Sequence, residues 1–188
     1  ADVLQTELGE LGLTSRRVGG TGVVVDLPGP EGVPRVALRA DTDALPVQEE
    51  TGLAFSSVND GVMHACGHDG HSSMLLGAAA LLRRGPLPAP VRLIWQPAEE
   101  QATGARALIE GGCLEDVGLI FGGHIDRRYD AGQLVVTDGP VNASTDTFAI
   151  ELRGRAGHGA RPHEAVDTVV IGSALVMALQ TIVSREIN

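Results

Sequence analysis

Metal-donor side chains are concentrated in one short stretch of the sequence, VMHACGHDGHSSM at residues 62–74. Within it, Cys66 and His68 stand two positions apart, and a thiolate with an imidazole is a good ligand pair for zinc or a similar divalent ion. Residues two apart in an extended segment project to the same side, so we expect Cys66 and His68 to face one site. The stretch therefore predicts part of a metal centre that other segments must complete.

Further donors directly follow three predicted strands. Asp41 and Asp43 follow RVALRA, Glu99 and Glu100 follow VRLIWQPA, and His124 follows GLIFGG. Ligands of open α/β sheets bind beyond the carboxyl ends of the strands, so we expect these groups to converge with the histidine-rich stretch. Of two adjacent glutamates, one can bind metal while the other accepts a proton from water.

Each of these signals also has a structural explanation. A single loop histidine is usually a surface residue, a free cysteine is usually a small buried hydrophobe, and paired acids often begin a helix. The combination of donors favours a metal site. The glycine-rich segment GRAGHGARPH at residues 154–163 offers basic groups that could meet an oxyanion or a carboxylate, or it is a connector with solvated charges.

The elements that must position these donors follow from apolar runs and from the glycine and proline residues between them. Strands are predicted at 21–27 and 35–41, and buried strands begin at Val91 and Gly118; helices are predicted over residues 2 to about 13, ending near Gly12, and over 72–84 and 104–110. Strands that alternate with helices indicate an α/β fold, a largely parallel sheet sandwiched by helices.

A second, smaller α+β unit is predicted from residue 142 onward. From Thr147, TFAIELRGR alternates apolar and polar residues as a half-exposed strand does, and Pro162 introduces a long apolar helix over Glu164–Ser184. One strand and one helix cannot bury both of their faces, so we expect residues 142–188 to be the beginning of this unit and residues 1–141 to be the first domain.

Composition excludes several functional classes. The chain has 188 residues and a formal net charge of −10, which argues against a nucleic-acid partner because phosphate binding needs a basic patch. Its longest apolar runs fall short of the roughly 18 residues of a membrane span, and its acidic amino terminus does not resemble a secretory signal. Cys66 and Cys113 form no CxxC motif, so a reducing cytoplasm is the expected location.

Six motifs, in order along the chain, carry a family resemblance: RADTDALPVQEETG, HACGHDGH, WQPAEE, FGGHID, GRAGHGARPHEAVD and ALQTIVSRE. They resemble the M20 metallopeptidases, in particular the amidohydrolase branch with its hippurate hydrolases, aminoacylase-like enzymes and indole-acetyl-amino-acid hydrolases. The resemblance extends from about Gly19 onward. It implies that residues 1–141 are part of a catalytic metallohydrolase domain and that residues 142–188 begin a lid and dimerisation domain.

The resemblance also implies a centre with two divalent ions. Its ligands would be Cys66 and His68 in HACGHD, Glu100 as the second acid of PAEE, and His124 in FGGH. Zinc, manganese, nickel and cobalt all suit such donors. The family's final metal-binding histidine lies in a more distal segment, so we expect the second ion to need a ligand from beyond Asn188.

The catalytic roles that the resemblance implies are those of an amide hydrolase. Glu99 would be the general base that takes a proton from the attacking water and returns it to the departing amine, and Asp41 would orient the site. His158 in GHGA resembles the lid histidine that stabilises the oxyanion, often from the partner subunit of a homodimer. The implied substrate is a small N-acyl amino acid or a similar amide.

Two other functions compete with this hypothesis. The chain could be a non-catalytic metal-binding or dimerisation fragment of the same fold. It could also be a cysteine hydrolase in which Cys66 works with a nearby histidine. Thiol alkylation would inactivate such an enzyme and chelators would not.

Overall fold

The computed structural model describes residues 1–141 and 146–182, in two compact units, Ala1–Gln133 and Leu134–Asn188. The strands of the first unit are β1 (Ser15–Val18), β2 (Gly22–Leu27), β3 (Arg35–Asp41), β4 (Val91–Gln96) and β5 (Val117–Gly122). Its helices are α1 (Asp2–Glu10), α2 (His68–Leu82) and α3 (Gly104–Glu110). The second unit contains a short 3-10 helix (Pro162–Glu164) and α4 (Thr168–Leu179).

The strands of the first unit form one mixed sheet in the order β1-β2-β4-β3-β5. β3 is parallel to both of its neighbours, β4 and β5, whereas β2 runs antiparallel to β4 and to β1. The predicted α/β fold is confirmed, although only the β4-β3-β5 half of the sheet is parallel. The three parallel strands end at the same edge, and the candidate donors follow at that edge.

Helices cover both faces of the sheet because alternate residues of β2 and β4 point to opposite sides. One face packs against α1 and α2 in the larger core cluster: Leu8, Val23, Val25, Leu27, Ala40, Leu75, Ala79, Val91, Leu93 and Trp95. The other face packs against α3 in a smaller cluster: Val18, Val24, Ala37, Ile94, Leu108 and Cys113. The predicted sandwich therefore forms around β2 and β4.

The first strand, β1, was missing from the sequence prediction. It pairs antiparallel with β2 across a turn at Gly19 and Gly20, whose φ angles of 58° and 86° lie in the left-handed region that favours glycine. The segment SRRV contains a single apolar residue, so its own sequence does not identify it as a strand. Pairing with β2 makes it one.

The last strand of the sheet is exposed, and the prediction of a buried strand from Gly118 is wrong in the described structure. β5 lies at the edge of the sheet and pairs with β3. The side chains of Leu119, Ile120 and Phe121 are about half exposed, at 53%, 47% and 56%. An apolar run by itself does not distinguish a central strand from an edge strand.

The second unit departs from its prediction at both elements. Residues 146–154 form no strand in the described structure, and the one pairing there is an isolated bridge between Arg155 and Val166. α4 begins at Thr168 and not at Glu164, because the Asp167 side chain accepts hydrogen bonds from the backbone N–H groups of the first turn. Residues 183 and 184 of the predicted helix lie outside the described residues.

The boundary between the two compact units falls in the chain between Gln133 and Leu134. The predicted domain boundary at 141/142 borders residues 142–145, which are outside the described part of the chain, and it stays a prediction. Among residues 1–141 and 146–182, no helix has both the length and the apolar character needed to cross a bilayer.

Candidate metal centre

Four segments of the first unit meet at the carboxyl edge of the parallel strands. Asp41, the last residue of β3, pairs with Gln96, the last residue of β4, so the loops that follow these strands leave the sheet side by side. The loop after β5 carries His124, and α2 begins at His68. The sheet thus brings together donors that are far apart in sequence.

The backbone between Cys66 and His68 is not extended, so this part of the sequence prediction is wrong. Gly67 has a φ of 87°, in the left-handed region, and caps the start of α2. His68 opens the helix and His71 follows one turn later on the same buried face. The turn at Gly67, and not strand alternation, therefore sets the direction in which His68 points.

The donor side chains form three groups, and within each group the donor atoms lie within 4.8 Å of one another. The groups are Cys66 with His68 and His124; His68 with Glu99 and Glu100; and Asp41 with His68 and His71. The structure thus places the other three predicted metal ligands and Glu99 around His68. Their predicted roles stay predictions, because proximity alone does not assign a role.

His68 presents a buried nitrogen lone pair to this cluster. Its Nδ1 lies 2.9 Å from the carbonyl oxygen of Asp43, which can only accept, so Nδ1 carries the proton. Nε2 is left buried with no hydrogen-bond partner. The nearest carboxylate oxygens, on Asp41, Glu99 and Glu100, are 3.6 to 3.9 Å away. A lone pair that faces carboxylates is unfavourable unless a proton or a metal cation lies between them. The cysteine, histidine and glutamate donors around this nitrogen fit a divalent metal.

The two glutamates are held by a tight turn after β4. Ala98 has a φ of 50°, and its carbonyl oxygen accepts the N–H groups of Thr103 and Gly104 at 3.3 and 3.1 Å. A Cβ atom on Gly104 would lie 1.5 Å from the carbonyl oxygen of Pro97, so this position requires glycine. The backbone N–H of Glu100 donates to Asp43 Oδ2 at 3.1 Å, which joins this turn to the loop after β3.

Asp41 is buried, and both of its carboxylate oxygens accept hydrogen bonds. Oδ1 accepts from His71 Nδ1 at 2.6 Å and Oδ2 accepts from Arg39 Nη1 at 2.8 Å. Burial raises the pKa of Asp41, but the hydrogen bond from His71 and the nearby positive charge of Arg39 outweigh burial and keep this pKa below its usual value. Asp41 is therefore a carboxylate that holds its neighbours in place.

The cluster is electrostatically unfavourable for a free thiolate. Burial, a hydrogen bond with Glu100 and the negative charges of Glu100, Glu99 and Asp41 all raise the pKa of Cys66. In the absence of a cation, Cys66 is a protonated thiol that lies 3.4 Å from His124 Nε2. A divalent cation reverses this preference, because coordination deprotonates a thiol.

His158 lies in the second unit, where its side chain is exposed. Its Nδ1 accepts a hydrogen bond from the backbone N–H of Ala160 at 3.2 Å, so the proton sits on Nε2. That N–H is available to a ligand. The predicted role of His158 in holding an oxyanion stays a prediction.

Sequence reasoning missed two residues of the centre, Arg39 and His71. Arg39 stands two positions before Asp41 on β3, and this alternation placed it on the same side of the strand. His71 was among the crowded donors, but its role depends on α2 beginning at His68 rather than at Ser72. Its two ring nitrogens bond Asp41 and the backbone of Ile125.

Comparison with known proteins gives a family match over most of the chain. The sequence model of the family described as Peptidase family M20/M25/M40 matches residues 37–186. N-acetylcysteine deacetylase of Bacillus subtilis (strain 168) is 45% identical over 170 residues, which are 89% of this chain and 45% of that protein. N-acyl-L-amino acid amidohydrolase of Geobacillus stearothermophilus is 42% identical over 171 residues, 89% of this chain and 46% of that protein.

A solved structure gives a match at the level of the fold. A dinuclear metal-binding peptidase of the M20 family from Bacillus subtilis, the YxeP protein, aligns with a TM-score of 0.63 and 46% identity. The alignment covers 66% of this chain and 36% of that one. The match to each of the two curated relatives likewise spans less than half of that relative's length.

Proposed function

The chain belongs to peptidase family M20/M25/M40, as its motifs predicted, and from that membership we propose that it is the metal-binding part of an amidohydrolase acting on N-acyl amino acids. The observation that carries the proposal is the buried, unpartnered Nε2 of His68, which faces donors from three other segments. The names of the two curated relatives, a deacetylase and an amidohydrolase of N-acyl amino acids, support the substrate class.

Cys66, His68, Glu100 and His124 would hold two divalent cations. Thiolate, imidazole and carboxylate donors suit zinc, manganese, nickel or cobalt. When bound, two such cations act as Lewis acids that polarise a carbonyl group and lower the pKa of water. The dinuclear M20 peptidase of similar fold supports a count of two.

Glu99 would move the proton in this reaction. Its Oε2 lies 3.8 Å from His68 Nε2, yet 42% of its side chain is exposed, so the carboxylate reaches both the metal cluster and the solvent. A carboxylate in this position can accept a proton from the attacking water and donate it to the departing amine. Asp41, held by Arg39 and His71, would keep the donor loops in place.

His158 would donate its Nε2–H to the negative charge that develops on the carbonyl oxygen, from the same subunit or from the partner in a homodimer. Both cysteines are free, which suits a reducing cytoplasm. We therefore propose a cytoplasmic homodimer with a small-molecule substrate and without nucleic-acid or membrane partners.

The decisive variant is Glu99→Gln, assayed in the complete protein on N-acetyl amino acids with metal restored. We expect turnover to fall by about 10²- to 10⁴-fold, because the general base is lost, while metal content measured by elemental analysis is unchanged. Glu10→Gln, on the exposed side of α1, is the control and should keep full activity. Turnover unaffected by Glu99→Gln would refute the assignment of the base. Metal binding without turnover in the wild-type protein would favour the non-catalytic fragment.

One observation favours a second candidate function, a cysteine hydrolase. Cys66 Sγ lies 3.4 Å from His124 Nε2, within reach of a general base. The raised pKa of Cys66 opposes this reading, because the thiolate is the nucleophile. A chelator should abolish activity in the metal enzyme. Activity that survives chelation but not alkylation by iodoacetamide would establish the cysteine hydrolase.

A further inference from the structure

The ring nitrogens of His71 are both engaged, and their partners define a single tautomer. Nε2 lies 2.8 Å from the backbone nitrogen of Ile125, which can only donate, so Nε2 is the acceptor and Nδ1 carries the proton. The Nδ1–H group donates a hydrogen bond to a carboxylate oxygen of Asp41, and the two heavy atoms are 2.6 Å apart. His71 is buried, so solvent does not compete for either bond.

The peptide group that His71 holds belongs to the residue after the predicted ligand His124. The carbonyl oxygen of Ile125 accepts a hydrogen bond from His124 Nδ1 at 2.7 Å. His124 is therefore in the tautomer with its proton on Nδ1, and the lone pair of Nε2 faces Cys66 Sγ at 3.4 Å. Ile125 is thus bonded through its N–H to His71 and through its carbonyl to His124.

His124 has little other support. It is exposed and follows β5, the exposed edge strand, whereas His68 is held in the buried face of α2. Its ring packs edge-on against the ring of His71, with the centroids 4.7 Å apart. The buried His68 ring is farther away, with its centroid 6.4 Å from that of His124, and the Asp41–His71 pair is the buried group that bonds the backbone of this loop.

We infer that His71 is a positioning residue that holds the Ile125 backbone and thereby fixes the tautomer and direction of the ligand His124. This inference rests on the proposed function, since it takes His124 as a metal ligand. His71 itself offers no free lone pair to a metal, although its donor atoms lie in one of the three groups. Its contribution is the acceptor at Nε2.

Two substitutions separate the two hydrogen bonds of His71. The amide oxygen of glutamine can occupy the place of Nε2, so His71→Gln can keep the acceptor for the Ile125 N–H while it loses the bond to Asp41. The amide of asparagine reaches only the place of Nδ1, so His71→Asn can keep the bond to Asp41 and loses the acceptor. The pair has matched chemistry, and each variant serves as the control for the other.

The first readout is the tautomer of His124 in the metal-free complete protein, from ¹H–¹⁵N spectra of the imidazole nitrogens. We expect the proton on Nδ1 in the wild-type protein and in His71→Gln, and a mixture of tautomers in His71→Asn. The second readout is Co²⁺ affinity, followed through the thiolate-to-cobalt absorption band. His71→Asn should bind about 10- to 100-fold more weakly, and His71→Gln within about threefold of wild type.

An equal loss in both variants, or a loss confined to His71→Gln, would overturn the inference, because packing or the Asp41 bond would then be what matters. If an unfolding curve shows that His71→Asn does not fold, the wild-type protein still decides. In the wild-type protein, we expect the backbone amide proton of Ile125 to exchange slowly with solvent and His71 to carry its proton on Nδ1. Rapid exchange of the Ile125 amide proton would overturn the inference. If wild type binds no Co²⁺ but His124 has the expected tautomer, the proposed function fails and the positioning role stands.

Discussion

At the residue scale, Asp41 is the buried carboxylate that connects the segments of the candidate centre. Its carboxylate accepts hydrogen bonds from His71 and Arg39, and its backbone carbonyl accepts one from Ser72 Oγ at 2.8 Å. It therefore joins β3, the start of α2 and, through His71, the loop after β5. A neutral asparagine at this position would keep the shape of the side chain and lose the electrostatic attraction to Arg39.

Asp41→Asn should lower the stability of the metal-free protein in a pH-dependent manner. Because the pKa of Asp41 is lower in the folded state, its ionised form stabilises the fold above the unfolded pKa of about 3.9, and this stabilisation is lost as the pH falls through the folded pKa. Urea unfolding should show wild type more stable than the variant by about 1–3 kcal/mol at pH 7.

The free energies of unfolding of the wild-type protein and of Asp41→Asn should converge as the pH falls from about 4 towards the pKa of Asp41 in the folded state. The exposed Asp60→Asn variant serves as the control and should show no such convergence. A difference between wild type and Asp41→Asn that stays constant from pH 7 to pH 3 would contradict the role assigned to the carboxylate.

The sequence predicted the donors of this centre better than their geometry. Residues that follow parallel strands must meet at one edge, which is why Glu99, Glu100 and His124 could be grouped with Cys66 and His68. The direction of each side chain depends on local details such as the left-handed Gly67. The contacts of His71 depend on the position of a loop that lies 54 residues away, which no local pattern encodes.

At the element scale, Arg92, the second residue of β4, joins the start of this strand to the loop after α3. This buried side chain bonds Asp26 through Nε at 2.7 Å, and its Nη1 donates to the carbonyl oxygens of Gly112, Cys113 and Glu115 at 2.9 to 3.3 Å. A single guanidinium thus reaches three carbonyl groups of this loop. The carbonyl of Gly112 also accepts the backbone N–H of Glu115 at 3.2 Å. The loop leads directly into β5 and so towards His124.

Arg92→Met should lower the free energy of unfolding by about 2–3 kcal/mol, because it removes the charged donor of these carbonyl groups and the nearest cation to Asp26. Asp26 then keeps its longer ion pairs with Arg35 and Arg16, at 3.6 and 4.0 Å. Chemical denaturation of the metal-free protein measures this change. Arg17→Met provides the comparison, since the ion pair of Arg17 with Asp2 is exposed and should contribute at most about 1 kcal/mol. Similar losses in the two variants would show that the loop does not depend on Arg92.

Some elements with apolar runs were predicted to the residue, and those that depend on distant pairing were not. β3, β4 and α3 match their predicted residues because burial on a sheet or against it selects such runs. β1 required the partner strand β2, and the expected strand from Thr147 has no ladder in the described residues. A cap at Asp167, and not hydrophobic periodicity, determined where α4 begins.

At the scale of the whole molecule, bound cations should stabilise the first unit. A ligand that binds the folded state alone adds about 2.7 kcal/mol at a free concentration 100-fold above its Kd. Calorimetry with added Zn²⁺ or Mn²⁺ should therefore show a higher unfolding temperature. Mg²⁺ prefers oxygen donors and should have little effect. Equal shifts with Zn²⁺ and Mg²⁺ would indicate general binding to the acidic surface.

The donors of the candidate centre are far apart in the chain: Cys66 and His124 are separated by 58 positions, and His68 and Asp43 by 25. Such contacts form only after long segments of chain have been closed, and the sheet must first pair β3 with β4 and β5. We therefore expect the centre to assemble late in folding. A cation bound there should slow unfolding and leave the folding rate nearly unchanged, since it stabilises contacts that the folding transition state does not yet contain.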